Sequence, residues 1–141
     1  SGATYDAVLL DAPCSATGTI RRHPDVAWTK KPGDLVKLTA LQSRMLDKAF
    51  ELVRPGGTIV YCTCSLEAEE GEQQIAALLR RNPDIVRLPI TKDEVGGLDG
   101  LINENGEIRT LPSYLPAENP RLAGMDGFFI ARLIRQEKRS R

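Results

Sequence analysis

Long apolar runs are missing from these 141 residues: none approaches the ~20 that a membrane-spanning helix needs. The opening stretch SGATYDAVLL has neither the basic segment nor the apolar segment of a secretory signal. Cysteine is scarce and odd in number, three in all, and a chain of this size has core enough to fold without disulfides. Free thiols in a reducing cytoplasm are the expectation. Histidine occurs once, as His23, with no evident partner, so it reads as a loop residue. A closed zinc site would need Cys14, Cys62, Cys64 and His23 or a carboxylate to converge, and no paired ligand spacing announces one. No metal is expected. Neither sign of charge is in excess, with Lys+Arg and Asp+Glu at 19 each, so any basic surface has to be local. There is no G-x-G-x-x-G loop, no internal repeat and no low-complexity segment.

What is present is an alternation of strand and helix signals within one domain. YDAVLLDAP is an apolar run closed by Asp-Ala-Pro and predicts a buried strand over residues 5–10. Residues 11–33 read as a long loop. From Asp34, placed to cap a helix, Leu35, Leu38, Leu41, Met45, Leu46, Ala49, Leu52 and Val53 recur at helical spacing, and Pro55-Gly56 ends the pattern. GGTIVYCTCS predicts a strand over 58–63. Ser65 then offers a cap for a second helix, with Glu67, Glu69 and Glu70 at its positive end and Ile75, Leu78 and Leu79 facing inward up to Pro83. DIVRLPI predicts a short strand. Residues 91–123 hold only a hairpin signal at Asn105-Gly106. GFFIARLIR predicts the last strand, before a basic tail. This order predicts an α/β layered domain with a mostly parallel sheet.

Ligands of such sheets collect beyond the carboxyl ends of the strands. DAPCS follows the first predicted strand and TCS the second, so Asp11, Cys14 and Cys64 are expected to face one crevice. A thiol before a helix N-terminus is favoured as thiolate, and Cys64 is placed that way. A thiolate can attack an electron-poor ring carbon while a carboxyl group such as Asp11 holds the ring nitrogen. Cys14 could act later in a cycle of covalent attachment and release. Cys62, inside the strand, reads as core filling. Spacing alone leaves the two thiols unranked and the substrate unnamed. Arg21, Arg22, Lys30 and Lys31 surround Trp28 in the long loop, which suits a phosphate backbone and an unstacked base. The alternative is a solvated loop with Trp28 packed on the domain.

Three stretches carry a resemblance: LLDAPCSATGTIRRHPD, LQSRMLDKAFELVRPGGTIVYCTCS and DGFFIARL. Together they resemble the RNA cytosine-5 methyltransferase family, in its bacterial 16S ribosomal RNA branch of the Sun/Fmu type, over residues 5–82 and 124–134. The resemblance implies a partial Rossmann-like S-adenosylmethionine methyltransferase fold whose last strand is antiparallel. It implies that Cys64 adds to C6 of cytosine, that Cys14 serves product release, and that Asp11 contacts the base and borders S-adenosylmethionine. Arg21 and Arg22 would lie near the RNA. A DNA cytosine-5 methyltransferase, in which the Pro-Cys thiol attacks, and a non-catalytic RNA-binding module are the alternatives; the TCS motif favours RNA.

The family pattern is not met everywhere. Its helix-start motif reads Glu-Glu-Asn-Glu and here is EEGE; Gly71 in the asparagine place is expected to weaken the helix by up to about 1 kcal/mol. Nothing carries over onto 91–123. The chain is expected to be the C-terminal half of a methyltransferase domain: strand-helix-strand-helix-strand over 4–90, an irregular insertion over 91–123 and the last strand over 124–135. The first strands and the main donor-binding loop would then be missing, so the chain alone is expected to bind S-adenosylmethionine very weakly and not to methylate. Strand 5–10 would present an exposed apolar edge, with self-association expected through it.

Overall fold

A computed structural model describes residues 3–29, 31–98, 100–112 and 124–137. The sheet order is β1 (Tyr5–Asp11), β2 (Val53–Thr63), β5 (Phe128–Arg135) and β3 (Ile85–Arg87), with β4 (Ile108–Thr110) also on β5. β1 and β2 run parallel, while β5 runs antiparallel to β2, β3 and β4. β5 is thus the one reversed strand of an otherwise co-directional mixed sheet. Its first half takes β4 and its second half β3 along the same edge.

Two helices complete the α/β layering. α2 (Pro32–Leu52) crosses from β1 to β2, and α3 (Glu72–Arg81) leads to β3. α2 delivers Leu46 and Ala49, and α3 delivers Ile75 and Leu78, to the face that carries Ile59, Tyr61, Phe129, Ala131 and Leu133. The alternation Phe129, Ala131, Leu133 is the period of two that a strand with one core face requires. Each fully buried large aliphatic side chain contributes about 1.5–3 kcal/mol. Tyr61 and Phe129 meet edge to face, with ring centroids 6.3 Å apart.

Element boundaries differ from the sequence reading where backbone chemistry overrides periodicity. α2 starts at Pro32 rather than at Asp34, whose carboxyl accepts the N–H of Lys31 (3.0 Å) from inside the first turn. β2 starts at Val53, five residues before the expected start: the register passes from Tyr5 opposite Val53 to Ala7 opposite Thr58. The intervening bulge holds Gly56 at φ +83°, so Pro55-Gly56 interrupts a strand rather than ending a helix. The long loop contains a 3-10 turn, Thr17–Thr19, and the single-turn α1 (Val26–Thr29). The hairpin signal at Asn105-Gly106 is a real turn, in which Asn103 Oδ1 accepts the N–H groups of Asn105 and Glu107.

The topology puts three chain segments at one edge. β1 and β2 both end there, and antiparallel β5 begins there. On the outer side of β1, no strand pairs among the described residues, and Leu9 is 71% and Tyr5 53% exposed.

Candidate active site

Three backbone segments meet at that edge. The Gly18 N–H donates to the carbonyl of Cys64, and the Gly127 N–H donates to the carbonyl of Gly18, both at 2.8 Å. Only glycine fits this stack. A Cβ on Gly18 would stand 2.0 Å from the Gly127 oxygen and 2.6 Å from the Cys64 oxygen, and one on Gly127 would stand 2.2 Å from Leu66 Cδ2. The glycines of ATG and DGF therefore serve close approach of backbone to backbone. Just before the stack, Ala16 is left-handed at φ +58°, which costs about 1 kcal/mol for a residue with a Cβ.

The stack brings together two of the three thiols. Cys14 Sγ and Cys64 Sγ lie 3.3 Å apart, both partly buried. Burial, then the hydrogen bond and charge of Cys64, push the Cys14 thiol up to about 12. Cys14 therefore keeps its proton at neutral pH, and either sulfur can donate across the contact. Cys62 is buried and turned elsewhere, toward the Leu10 carbonyl (3.7 Å) and Asp11 Oδ1 (3.8 Å). Its own burial and then Asp11 push it up to about 11. Asp11 is exposed at the end of β1, opposite Cys62 in the parallel register. The acid is thus at the expected edge, and its close contact is with the third thiol.

The expected helix N-terminus behind Cys64 is not there. α3 begins only at Glu72, after a 3-10 turn over Ala68–Glu70. Nor are the amides after Cys64 free to hold a thiolate: those of Ser65, Leu66 and Glu67 donate to the hydroxyls of Thr63, Thr17 and Ser65. Ser65 ties its own turn rather than capping a helix.

Two supporting residues escaped the sequence reading. Glu70, read there as a helix-end acid, is wholly buried and accepts from Ser15, Ser65 and Gln42. A signal existed: Glu70 stands four residues before buried Gln74 and eight before buried Leu78, on the inward stripe. Arg109, from the stretch onto which nothing carried over, donates to both Glu72 oxygens (2.8 and 2.7 Å) and to the Ser65 carbonyl. It also lies over the Phe129 ring, 5.0 Å from its centroid. Partial burial works to raise Glu72, but the Arg109 hydrogen bonds and charge outweigh it and lower its pKa. No local pattern in the sequence announces Arg109, because its partners are about 40 residues away. Gly71 is corrected by the same packing. It sits at the helix boundary, not inside it, and a Cβ there would stand 2.8 Å from an Arg109 nitrogen and 2.9 Å from the Phe129 ring.

The basic loop lies over this edge. Arg22 Nε donates to both Asp126 oxygens (3.0 and 2.8 Å), and an Arg21 nitrogen stands 3.6 Å from the same carboxylate. That pairing holds the loop to the start of β5 and lowers Asp126. Lys31 is exposed, Lys30 lies outside the described residues, and His23 is exposed. Trp28 is 89% exposed, so the packed alternative for it is not what the structure has. Among the described residues, no three His, Cys, Asp or Glu side chains converge as a metal cluster, and no helix is long and apolar enough to cross a membrane.

Known proteins share this arrangement of sequence and fold. Residues 1–134 match the family described as 16S rRNA methyltransferase RsmB/F. The chain is 44% identical over 132 residues to ribosomal RNA small subunit methyltransferase B of Klebsiella pneumoniae (strain 342), covering 94% of this chain and 26% of that protein. It is 39% identical over 134 residues to the protein of the same name from Shewanella oneidensis, covering 95% and 28%. It therefore spans about a quarter of the length of these relatives. Among solved structures, a methyltransferase homolog protein from Pyrococcus horikoshii superposes with a TM-score of 0.65 at 32% identity, covering 96% of this chain and 40% of that one. NSun6 from Pyrococcus horikoshii with SFG shares the fold, with a TM-score of 0.71 at 24% identity over 98% and 32%. A match that runs unbroken from before β1 to near the end of β5 takes in both thiol loops and the glycine stack between them, and the chain belongs to the 16S rRNA methyltransferase RsmB/F family.

Proposed function

We propose that this chain is the thiol-bearing part of an S-adenosylmethionine-dependent RNA cytosine-5 methyltransferase, a cytoplasmic enzyme acting on 16S rRNA. The observation that carries the reading is the pair of thiols from two strand ends at 3.3 Å, one of them held protonated. Cys64, of the TCS motif, is the nucleophile. Its sulfur bonds to C6 of cytosine and the C5–C6 π pair moves to C5. S-adenosylmethionine, when bound, supplies the methyl group that C5 accepts. Asp11, exposed at the strand end, fits as one acidic wall between the base and that donor. Release requires the C5 proton to leave and the C6–S bond to break, which returns an electron pair to the Cys64 sulfur.

Cys14 serves that second half. Its thiol is raised first of all by burial, which does not depend on the state of Cys64, and it stands 3.3 Å from the sulfur that leaves C6. RNA is held by the loop above: Arg21, Arg22, Lys30 and Lys31 toward phosphates and Trp28 toward an unstacked base.

The test is an adduct with RNA containing 5-fluorocytosine, mapped by mass spectrometry in the enzyme that carries this chain. An adduct on Cys64 supports the reading; an adduct on Cys14 points to the DNA-type mechanism, and none on either thiol to a binding module. In the same assay, Trp28→Ala lowers adduct yield at limiting RNA without moving the adduct. The donor is a separate matter. The sequence holds no G-x-G-x-x-G stretch, so calorimetric titration of the chain alone with S-adenosylmethionine is expected to give no heat at micromolar ligand. Micromolar binding would overturn that proposal.

The open side of β1 leads to self-association on this reading. Leu9 and Tyr5 are exposed apolar groups on a strand that lacks an outer partner among the described residues. Sedimentation of the chain is expected to give a dimer, and Leu9→Lys a monomer. A wild-type monomer across the micromolar range would count against it.

A further inference from the structure

We infer that Glu70 is the positioning residue that sets the two thiol loops in register, through the serine that follows each cysteine. Both motifs read Cys-Ser, and both serines land on this single carboxyl group. Ser15, after Cys14, gives Glu70 its backbone N–H (2.9 Å to Oε2) and its hydroxyl. Ser65, after Cys64, gives its hydroxyl to Oε1 at 2.7 Å. The two hydroxyl oxygens lie 3.3 Å apart, as do the two sulfurs one residue earlier in each loop. A carboxyl group that grips the second residue of each loop fixes the spacing of the first.

Glu70 is itself held on three sides. Its backbone carbonyl accepts the Tyr61 hydroxyl at 2.6 Å, which pins its main chain to β2. Gln42 Nε2, from α2, donates to Oε2 at 2.8 Å and also to the Pro13 carbonyl at 2.9 Å, so it secures the Pro-Cys loop a second time. Gln74, from α3, donates to Gln42 Oε1 at 3.3 Å and to the Thr39 carbonyl at 2.7 Å. Both carboxyl oxygens of Glu70 and both polar atoms of the Gln42 amide thus have partners, which is what a buried network needs to specify one geometry. Glu70 touches neither sulfur, so its role is to position, not to react. A carboxyl has the acceptor capacity for these donors; an amide in its place would turn an NH2 toward the Ser15 N–H or the serine hydroxyls.

The assignment of the thiols to chemistry rests on the reading above, whereas the clamp can be measured without it. The probe is diamide, a two-electron oxidant that takes one hydrogen from each thiol as the Cys14–Cys64 disulfide forms. Glu70→Gln is expected to slow disulfide formation about tenfold in protein that is folded by near-UV circular dichroism, because the sulfurs spend less time in contact. Ser15→Ala and Ser65→Ala each remove one hydroxyl hydrogen bond to Glu70 and should each slow it about threefold, with the double variant no slower than Glu70→Gln. They decide the matter should Glu70→Gln fail to fold. Folded variants that cross-link at the wild-type rate overturn the inference, even with lowered stability, since a merely structural role predicts that result. In the enzyme that carries this chain, Glu70→Gln should lower kcat about 10²-fold with KM for RNA within about twofold. The absence of a Cys64 adduct in the wild-type enzyme would sink the functional reading and leave the cross-linking result standing.

Discussion

Cys64→Ser in the enzyme that carries this chain is expected to lower methyl transfer to 16S rRNA by on the order of 10⁴-fold or more, because on the proposed mechanism it removes the atom that bonds to C6. A hydroxyl is a far weaker nucleophile than a thiolate, and nothing in the pocket compensates. The nearest group, Cys14, is a donor with its own proton held by burial. It cannot activate a serine. Cys14→Ser is expected to give a different phenotype: addition to C6 proceeds and the covalent enzyme–RNA complex accumulates, visible as a denaturation-resistant band. The pair of outcomes is asymmetric, and the asymmetry is the content of the prediction. Equal loss of activity with no trapped complex in either variant, at unchanged stability, would mean that the two thiols do not divide the work in this way.

Gly18→Ala carries the largest expected effect on the fold. Its Cβ would stand 2.0 Å from one backbone oxygen and 2.6 Å from another, and neither can move without breaking the hydrogen bonds that the stack is made of. The cost is about 3 kcal/mol, at the upper end of overpacking because the obstacle is backbone. The control is Gly33→Ala in α2, where nothing stands within 4 Å of the added carbon. That change should raise stability by about 0.5–1 kcal/mol by narrowing the unfolded chain's freedom. Urea unfolding of the two variants beside wild type tests both signs. A Gly18→Ala protein as stable as wild type would mean that the three segments do not meet as closely as described.

Much of the fold was legible because it depends on local chemistry. The spacing from Leu35 to Leu52 and the alternation in FFIARL each specify one element and its inward face, whereas YDAVLL specifies a strand that is half-buried at most, with Val8 and Leu10 packed on the core and Leu9 exposed, rather than the buried strand expected. The order of those elements then brings DAPCS and TCS together. What the sequence hid was long-range satisfaction of polar groups. Glu70 sits in the run EAEEGE, which reads as a solvated acidic turn; only Ser15 and Gln42, 55 and 28 residues away, make it an interior group. Arg109 was invisible for the same reason. The role of Gly71 was misread because its constraint comes from Phe129 and Arg109 rather than from helix propensity. Asp34 and Ser65 both have the chemistry of caps, but Asp34 stands inside the first turn and bonds back to the Lys31 amide, and Ser65 takes the Glu67 amide well before α3 begins at Glu72.

The place of β5 has a consequence for how the protein is made. The strand that joins β2, β3 and β4 into one sheet is the last described element of the chain, and Gly127, which closes the stack on Cys64, comes just before it. A ribosome synthesising the protein therefore releases both thiol loops long before the strand that covers the inner edge of β2. Until residues 127–135 have emerged, the nascent chain holds every residue of the β1–α2–β2 unit and of the Glu70 clamp, while the inner edge of β2 stays open and the Gly127 layer of the stack is missing. A chain interrupted before β5 would therefore carry both cysteines and their clamp on a sheet with one edge left open.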